Sequence, residues 1–342
     1  MIFYITFLKA LAACLITNQH YSDVNPSLPI DGAGAIGNLL FFVVSGYCLY
    51  NVKGSFLQWY GKRVWRIWPS VIIITVAYTI LGYYKITGFA PTLREFFLSV
   101  LGYHRMGKGT FIWQYLYPSN YHFIGSIIAL YIPFYFFMKI KTTRERIIPT
   151  AIVLGLLALT YFFTFYDRSY NHIPDIREPF IRWVFMEGML IGAWFRQNDE
   201  KTRNRFKIVY PIMFLAFVAL LVAYRFARTR YPVLVEYQIV TPLCYLGAVF
   251  YLMKTFAGLD SKLEKLPAAV KKGIEFVATL TLEIYIVQMY LIHLCGPRFA
   301  FPLNWFVTTA AILIAAYLLK QTCNLFYKAT DKTVALVKRR AS

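Results

Sequence analysis

Two residues able to do chemistry share the first apolar stretch of the chain. The run LKALAACLITNQHY places Lys9 inside it and His20 eleven residues later, roughly 16 Å further along a helix. A charged amine at bilayer depth is costly. Lys9 therefore either faces the protein interior and meets an anion or a water-filled cavity, or snorkels to the cytoplasmic surface. Histidine is the side chain best suited to take a proton from a hydroxyl near neutral pH. His20 is thus either a polar residue at the outer interface or the base of an acyl or glycosyl transfer. The polar run Thr17, Asn18, Gln19, His20 closes the apolar stretch without a turn signal, and the loop after it carries no basic residue.

A second cationic feature lies in FLQWYGKRVWRIWPS, where Arg63 and Arg66 precede Pro69. Residues three apart share a helical face, so both guanidiniums can converge on one anion, and paired arginines suit phosphate. The competing reading is anchoring of a cytoplasmic helix end. Two acidic residues sit deepest in apolar runs, Glu187 in FMEGMLIGAWF and Glu283 in LTLEIYIVQMY. Each must pair or be protonated. Each is a candidate partner for Lys9 or Arg182, and Glu187 is also placed with the substrate-contacting residues. Gly188 and Gly192, four apart, read as a close helix contact.

The elements that position these residues are membrane helices. Of the 342 residues, 58% are hydrophobic and only 15% charged, which excludes an ordinary soluble domain. The net charge of +20 is spread in short clusters between apolar runs, a topological signal rather than a nucleic-acid face. The five cysteines show neither CxxC nor zinc spacing, so no disulfide and no metal is expected. The first stretch lacks the flanks of a cleaved leader and should remain as a helix.

Hydropathy predicts an all-α, polytopic integral membrane protein with about ten transmembrane helices, near 2–20, 35–50, 69–86, 122–138, 148–165, 181–195, 208–224, 238–254, 274–294 and 301–319. Several are short for a bilayer, so either tilt or breaks at Gly46, Pro69 and Pro242 are expected. Residues 1–325 read as one transmembrane domain and 326–342 as a short basic cytoplasmic tail. Lys and Arg in alternate connections number 24 on one side (within 53–66, 139–146, 196–207, 254–272 and 320–340) and ten on the other. The positive-inside rule makes the first side cytoplasmic, with both termini there. The long connection from about 87 to 121 then lies outside, and its Trp113, Tyr115 and Tyr121 are candidates to stack on sugar faces.

Several of these segments together resemble acyltransferase family 3, bacterial membrane enzymes that acylate carbohydrate acceptors. Lys9 and His20 resemble the family's basic residue, ten intervening residues and histidine. In GNLLFFVVSGYCLY, Phe41, Phe42, Ser45, Gly46 and Tyr47 resemble its paired phenylalanines before a Ser-Gly-aromatic turn. Arg63, Arg66 and Pro69 resemble its paired arginines before a proline. YHFIGSIIALYIPFY and TLEIYIVQMYLIH are similar to weaker segments of spans four and nine. Two positions depart from the pattern: Thr6 stands where an acidic residue is common, and Gln288 where a histidine often follows the tyrosine of span nine.

The resemblance implies a multi-pass enzyme of the bacterial inner membrane that uses acyl-CoA, most often acetyl-CoA, as co-substrate. It implies His20 as the base, Arg63 and Arg66 on the CoA phosphates, and Lys9 between them, neutralising a phosphate or the developing oxyanion. The acceptor would be a sugar of a polyprenyl-linked or surface polysaccharide. The expected partners are this carbohydrate and the lipid bilayer, with no nucleic acid. The alternatives are a transporter or flippase for a lipid-linked sugar or small anion, and a scaffolding protein in which His20 is replaceable.

Overall fold

The computed structural model describes residues 2–22, 24, 33–80, 122–140, 147–165 and 180–341. Among them every regular element is a helix. An apolar backbone in lipid has no water to bond, and a helix satisfies its N–H and C=O groups internally. In chain order these are α1 (Phe3–Tyr21), α2 (Ala33–Leu49), α3 (Phe56–Ile80), α4 (His122–Lys139), α5 (Ile147–Phe165), α6 (Phe180–Gln197), α7 (Asp199–Thr202), α8 (Val209–Arg230), α9 (Val240–Gly258), α10 (Asp260–Leu263), α11 (Ala268–Thr279), α12 (Thr281–Cys295) and α13 (Leu303–Ala341).

Each of the ten segments expected to cross the bilayer carries a helix, and the boundaries differ in instructive ways. Among the described residues, α8, α9 and the Leu303–Thr330 part of α13 are long and apolar enough to span, as are α11 and α12 if taken as one interrupted crossing. The expected breaks at Gly46 and Pro69 are absent: α2 runs through to Leu49, and α3 begins upstream at Phe56 and continues past Pro69. Pro242 lies in the first turn of α9, where its missing N–H costs nothing. The interruption falls instead at Leu280, whose φ of −101° and ψ of 6° leave the helical region. It carries neither glycine nor proline, so hydropathy joins the two sides. Helix α13 continues without interruption through the position 325 boundary.

The chain forms two compact units. The first comprises Met1–Ile16, Gly32–Gly54 and Leu130–Ala278. Its tightest packing joins α2 to α6, because glycines remove the side chains that would hold them apart. A Cβ at Gly46 would fall on the Met189 carbonyl, and one at Gly192 on the Val43 carbonyl. Phe42 stacks on Phe185 with ring centroids 4.0 Å apart. The expected Ser-Gly-aromatic turn is therefore a stretch of continuous helix whose glycine admits the backbone of α6.

The second unit comprises Thr17–Asp31, Ser55–Ala129 and Thr279–Ser342. Here α12 packs on α13 and both meet α3. Lys320 of α13 pairs with Glu283 of α12 at 3.2 Å, the carboxylate being 3% exposed. Glu283 Oε1 is thus paired from α13, a partner absent from the two considered for it, while its Oε2 is buried without a hydrogen-bond partner. Helix α3 tolerates Pro69 for a local reason. Proline has no N–H, so the carbonyl four residues earlier, that of Trp65, loses its helical donor. The Tyr327 hydroxyl reaches that carbonyl at 3.4 Å and the neighbouring Arg66 carbonyl at 3.1 Å.

Candidate functional site

The polar run at the end of α1 proves to be a docking strip. Thr17 Oγ1 donates to Gln288 Oε1 at 2.7 Å. Asn18 Oδ1 accepts from Trp305 Nε1 at 2.9 Å. The Tyr21 hydroxyl shares a 2.9 Å hydrogen bond with Thr309 and donates to the Trp305 carbonyl at 3.4 Å. The helix closes locally, Ser22 Oγ donating to the Gln19 carbonyl at 2.6 Å. His20 is half-buried in the midst of these contacts, on a helix end pinned to α12 and α13. Its ring is therefore carried on rigid backbone, which positioned base catalysis requires.

Arg63 and Arg66 belong to the same unit as His20. Because α3 extends to Phe56, both lie inside a continuous helix rather than at its start, and their three-residue spacing puts them on one face. Arg63 lies with its guanidinium carbon 5.6 Å from the Trp59 ring centroid, a cation–π arrangement. Its Nε is buried without a hydrogen-bond partner. Arg66 is exposed. Among the described residues no carboxylate forms an ion pair with either arginine. Two adjacent guanidiniums with unspent donors suit an anion with several oxygens.

Lys9 and Glu187 belong to the first unit. Helix α1 is continuous from Lys9 to His20, and eleven residues make about three turns, so the two point along one face. Lys9 is half-buried and has no ion-pair partner among the described residues. Glu187 is 6% exposed, with Oε2 lacking a hydrogen-bond partner. The structural pairing considered for Lys9 and Glu187 is not formed among these residues. Trp113, Tyr115 and Tyr121, with the whole 87–121 connection, lie outside the described residues. Among those described, no three His, Cys, Asp or Glu side chains converge as metal ligands would.

One cluster escaped the sequence reading. Asp260 Oδ1 accepts the Tyr4 backbone N–H at 2.8 Å, meeting one of the unpaired donors in the first turn of α1. Tyr47 and Tyr4 hydroxyls donate to Asp199 Oδ1 at 2.8 and 3.3 Å. Arg196 donates to the Tyr47 hydroxyl at 3.4 Å, and Arg203 lies 3.7 Å from Asp199 and 4.0 Å from Asp260. Burial pushes the Asp260 carboxyl above its ordinary value, and the Tyr4 N–H pulls the other way. The cluster ties α1 and the ends of α2, α6 and α9 together. The aspartates directly after two apolar runs were its signal, but their partners are distant in sequence.

The apolar helices, three of them long enough to span a bilayer among the described residues, define the class as a helical membrane protein. Residues 2–321 match the family model described as an acyltransferase domain, and the chain belongs to acyltransferase family 3. No curated protein and no solved structure matches it.

Proposed function

We propose that the protein transfers an acyl group, acetyl in the first instance, from acyl-CoA to a hydroxyl of a cell-surface or lipid-linked sugar. It does so as a ten-span protein of the bacterial inner membrane with both termini cytoplasmic. The observation that carries this reading is the pairing, in one unit of an acyltransferase-family chain, of two arginines with no acidic ion-pair partner among the described residues and a histidine on a pinned helix end. CoA is cytoplasmic and polyanionic. By the distribution of Lys and Arg, Arg63 and Arg66 lie on the cytoplasmic side and hold its phosphates, while the pantetheine arm reaches toward His20.

There His20 takes the proton of the acceptor hydroxyl as its oxygen attacks the thioester carbonyl. The C–S bond breaks, and the proton passes to the departing thiolate, giving ester and free CoA. Lys9, on the same face of α1, neutralises a phosphate or the developing oxyanion. Glu187 and the aromatic residues Trp113, Tyr115 and Tyr121 contact the acceptor.

The reading is tested in cells by comparing surface-glycan acetylation with and without the gene by mass spectrometry. Loss of acetyl groups on deletion is expected. Equal acetylation, with lipid-linked sugar accumulating on one face, would favour transport instead. The donor site is tested by titrating the detergent-purified protein with a non-hydrolysable acetyl-CoA analogue. Each lost charge-assisted contact should weaken binding about tenfold or more in Arg63→Ala and Arg66→Ala, with a smaller loss in Lys9→Met. Unchanged affinity in both arginine variants would make them anchors of a helix end.

A further inference from the structure

We infer that Gln288 is the donor that holds the thioester carbonyl oxygen during acyl transfer, a role that rests on the acyltransferase reading above. The side chain is 1% exposed. Its Oε1 accepts from the Thr17 hydroxyl at 2.7 Å, which tethers the amide to α1. The Nε2 at the other end is buried and has no acceptor. An amide donor held in an apolar interior without an acceptor costs free energy that leucine or isoleucine at this position would avoid. Its retention makes sense if an acceptor arrives from outside the chain.

The location says which acceptor. Thr17 and His20 are three residues apart on α1 and share its face. The amide tethered to Thr17 therefore lies within about one helical turn of the base. Tyr285, one turn before Gln288 on α12, packs its ring against Phe123 with centroids 4.8 Å apart. A neutral N–H donor in a dry setting beside a general base is the arrangement that stabilises a carbonyl oxygen as it gains negative charge. As the acceptor oxygen attacks, the carbonyl π electrons move onto this oxygen, where Gln288 Nε2 donates to it. When they return, the C–S bond breaks and the thiolate leaves with the proton that His20 took. Gln288 contributes no proton and is unchanged at the end of the cycle.

The test uses membranes from cells that carry the gene natively, which contain the acceptor. The rate of CoA release from acetyl-CoA is measured against donor concentration, with detergent melting temperatures in parallel. Gln288→Leu should lower kcat by about 10²–10³-fold, shift KM for acetyl-CoA less than about threefold, and lower the melting temperature no more than Thr17→Val, which breaks the same hydrogen bond but keeps the Gln288 amide. Gln288→His, which retains an N–H of similar reach, should stay within about tenfold of the wild type. A Gln288→Leu protein with wild-type kcat would overturn the assignment. So would a fall in rate that tracks a fall in melting temperature and is equal in both variants, the signature of helix packing alone. Failure of the wild type to release CoA would overturn the acyl-transfer reading itself, and this inference with it.

Discussion

His20→Ala is expected to insert and melt like the wild type yet lose acyl transfer by about 10²–10⁴-fold, the usual worth of a positioned general base. The helix end is held by Thr17, Asn18 and Tyr21, each bonded to α12 or α13, so removing the imidazole leaves that docking in place. Surface-glycan acetylation measured by mass spectrometry, alongside melting in detergent, checks both halves. Full acetylation in the variant would return His20 to the outer interface as an ordinary polar residue.

Gly192→Ala should be, with Gly46→Ala, among the most disruptive small substitutions in the first unit. Its methyl group would land on the Val43 carbonyl oxygen and close to the Tyr47 nitrogen. Backbone cannot move aside as a side-chain tip can, so α2 and α6 must separate. Overpacking typically costs about 1–3 kcal/mol and here should reach the upper end or beyond. The internal control is Gly155 in α5, where an added Cβ meets nothing within 4 Å. Gly155→Ala should be neutral or stabilising, by up to about 1 kcal/mol, through reduced backbone freedom. Equal melting temperatures for the two variants would show that the α2–α6 contact is not the one described.

The helices and a close contact made by α6 were legible because they are written locally, though its partner α2 was not. Apolar runs of membrane length mark the first, and Gly188 with Gly192 mark the second. The cationic residues were legible too, because a charge inside an apolar run is conspicuous. Their partners were not. Glu283 was noticed as a buried acid, but Lys320 lies 37 residues away in the basic stretch before the tail, where lysines are expected for topological reasons. Asp260 and Tyr4 are 256 residues apart, and neither is unusual in its own segment. The Leu280 interruption escaped because propensity marks breaks with glycine or proline, and Leu280 and its neighbours are neither. The polar run before His20 was seen as anomalous. Its role as a docking strip needed Gln288, Trp305 and Thr309, residues whose meeting is a property of the fold alone.

Pro69 and Tyr327 carry a consequence for how such a chain can change over generations. The proline strips a donor from the Trp65 carbonyl, and the tyrosine hydroxyl restores one. The two substitutions are then unequal in order. A tyrosine arriving first, opposite an intact helix, is nearly neutral, since its hydroxyl can turn toward water or share the Arg66 carbonyl. A proline arriving first leaves a bare carbonyl in the helix that bears Arg63 and Arg66, and selection acts against it at once. Once both are present, reverting the tyrosine to phenylalanine re-exposes the defect, and the pair becomes locked. The physics makes tyrosine first and proline second the easier order for this pair.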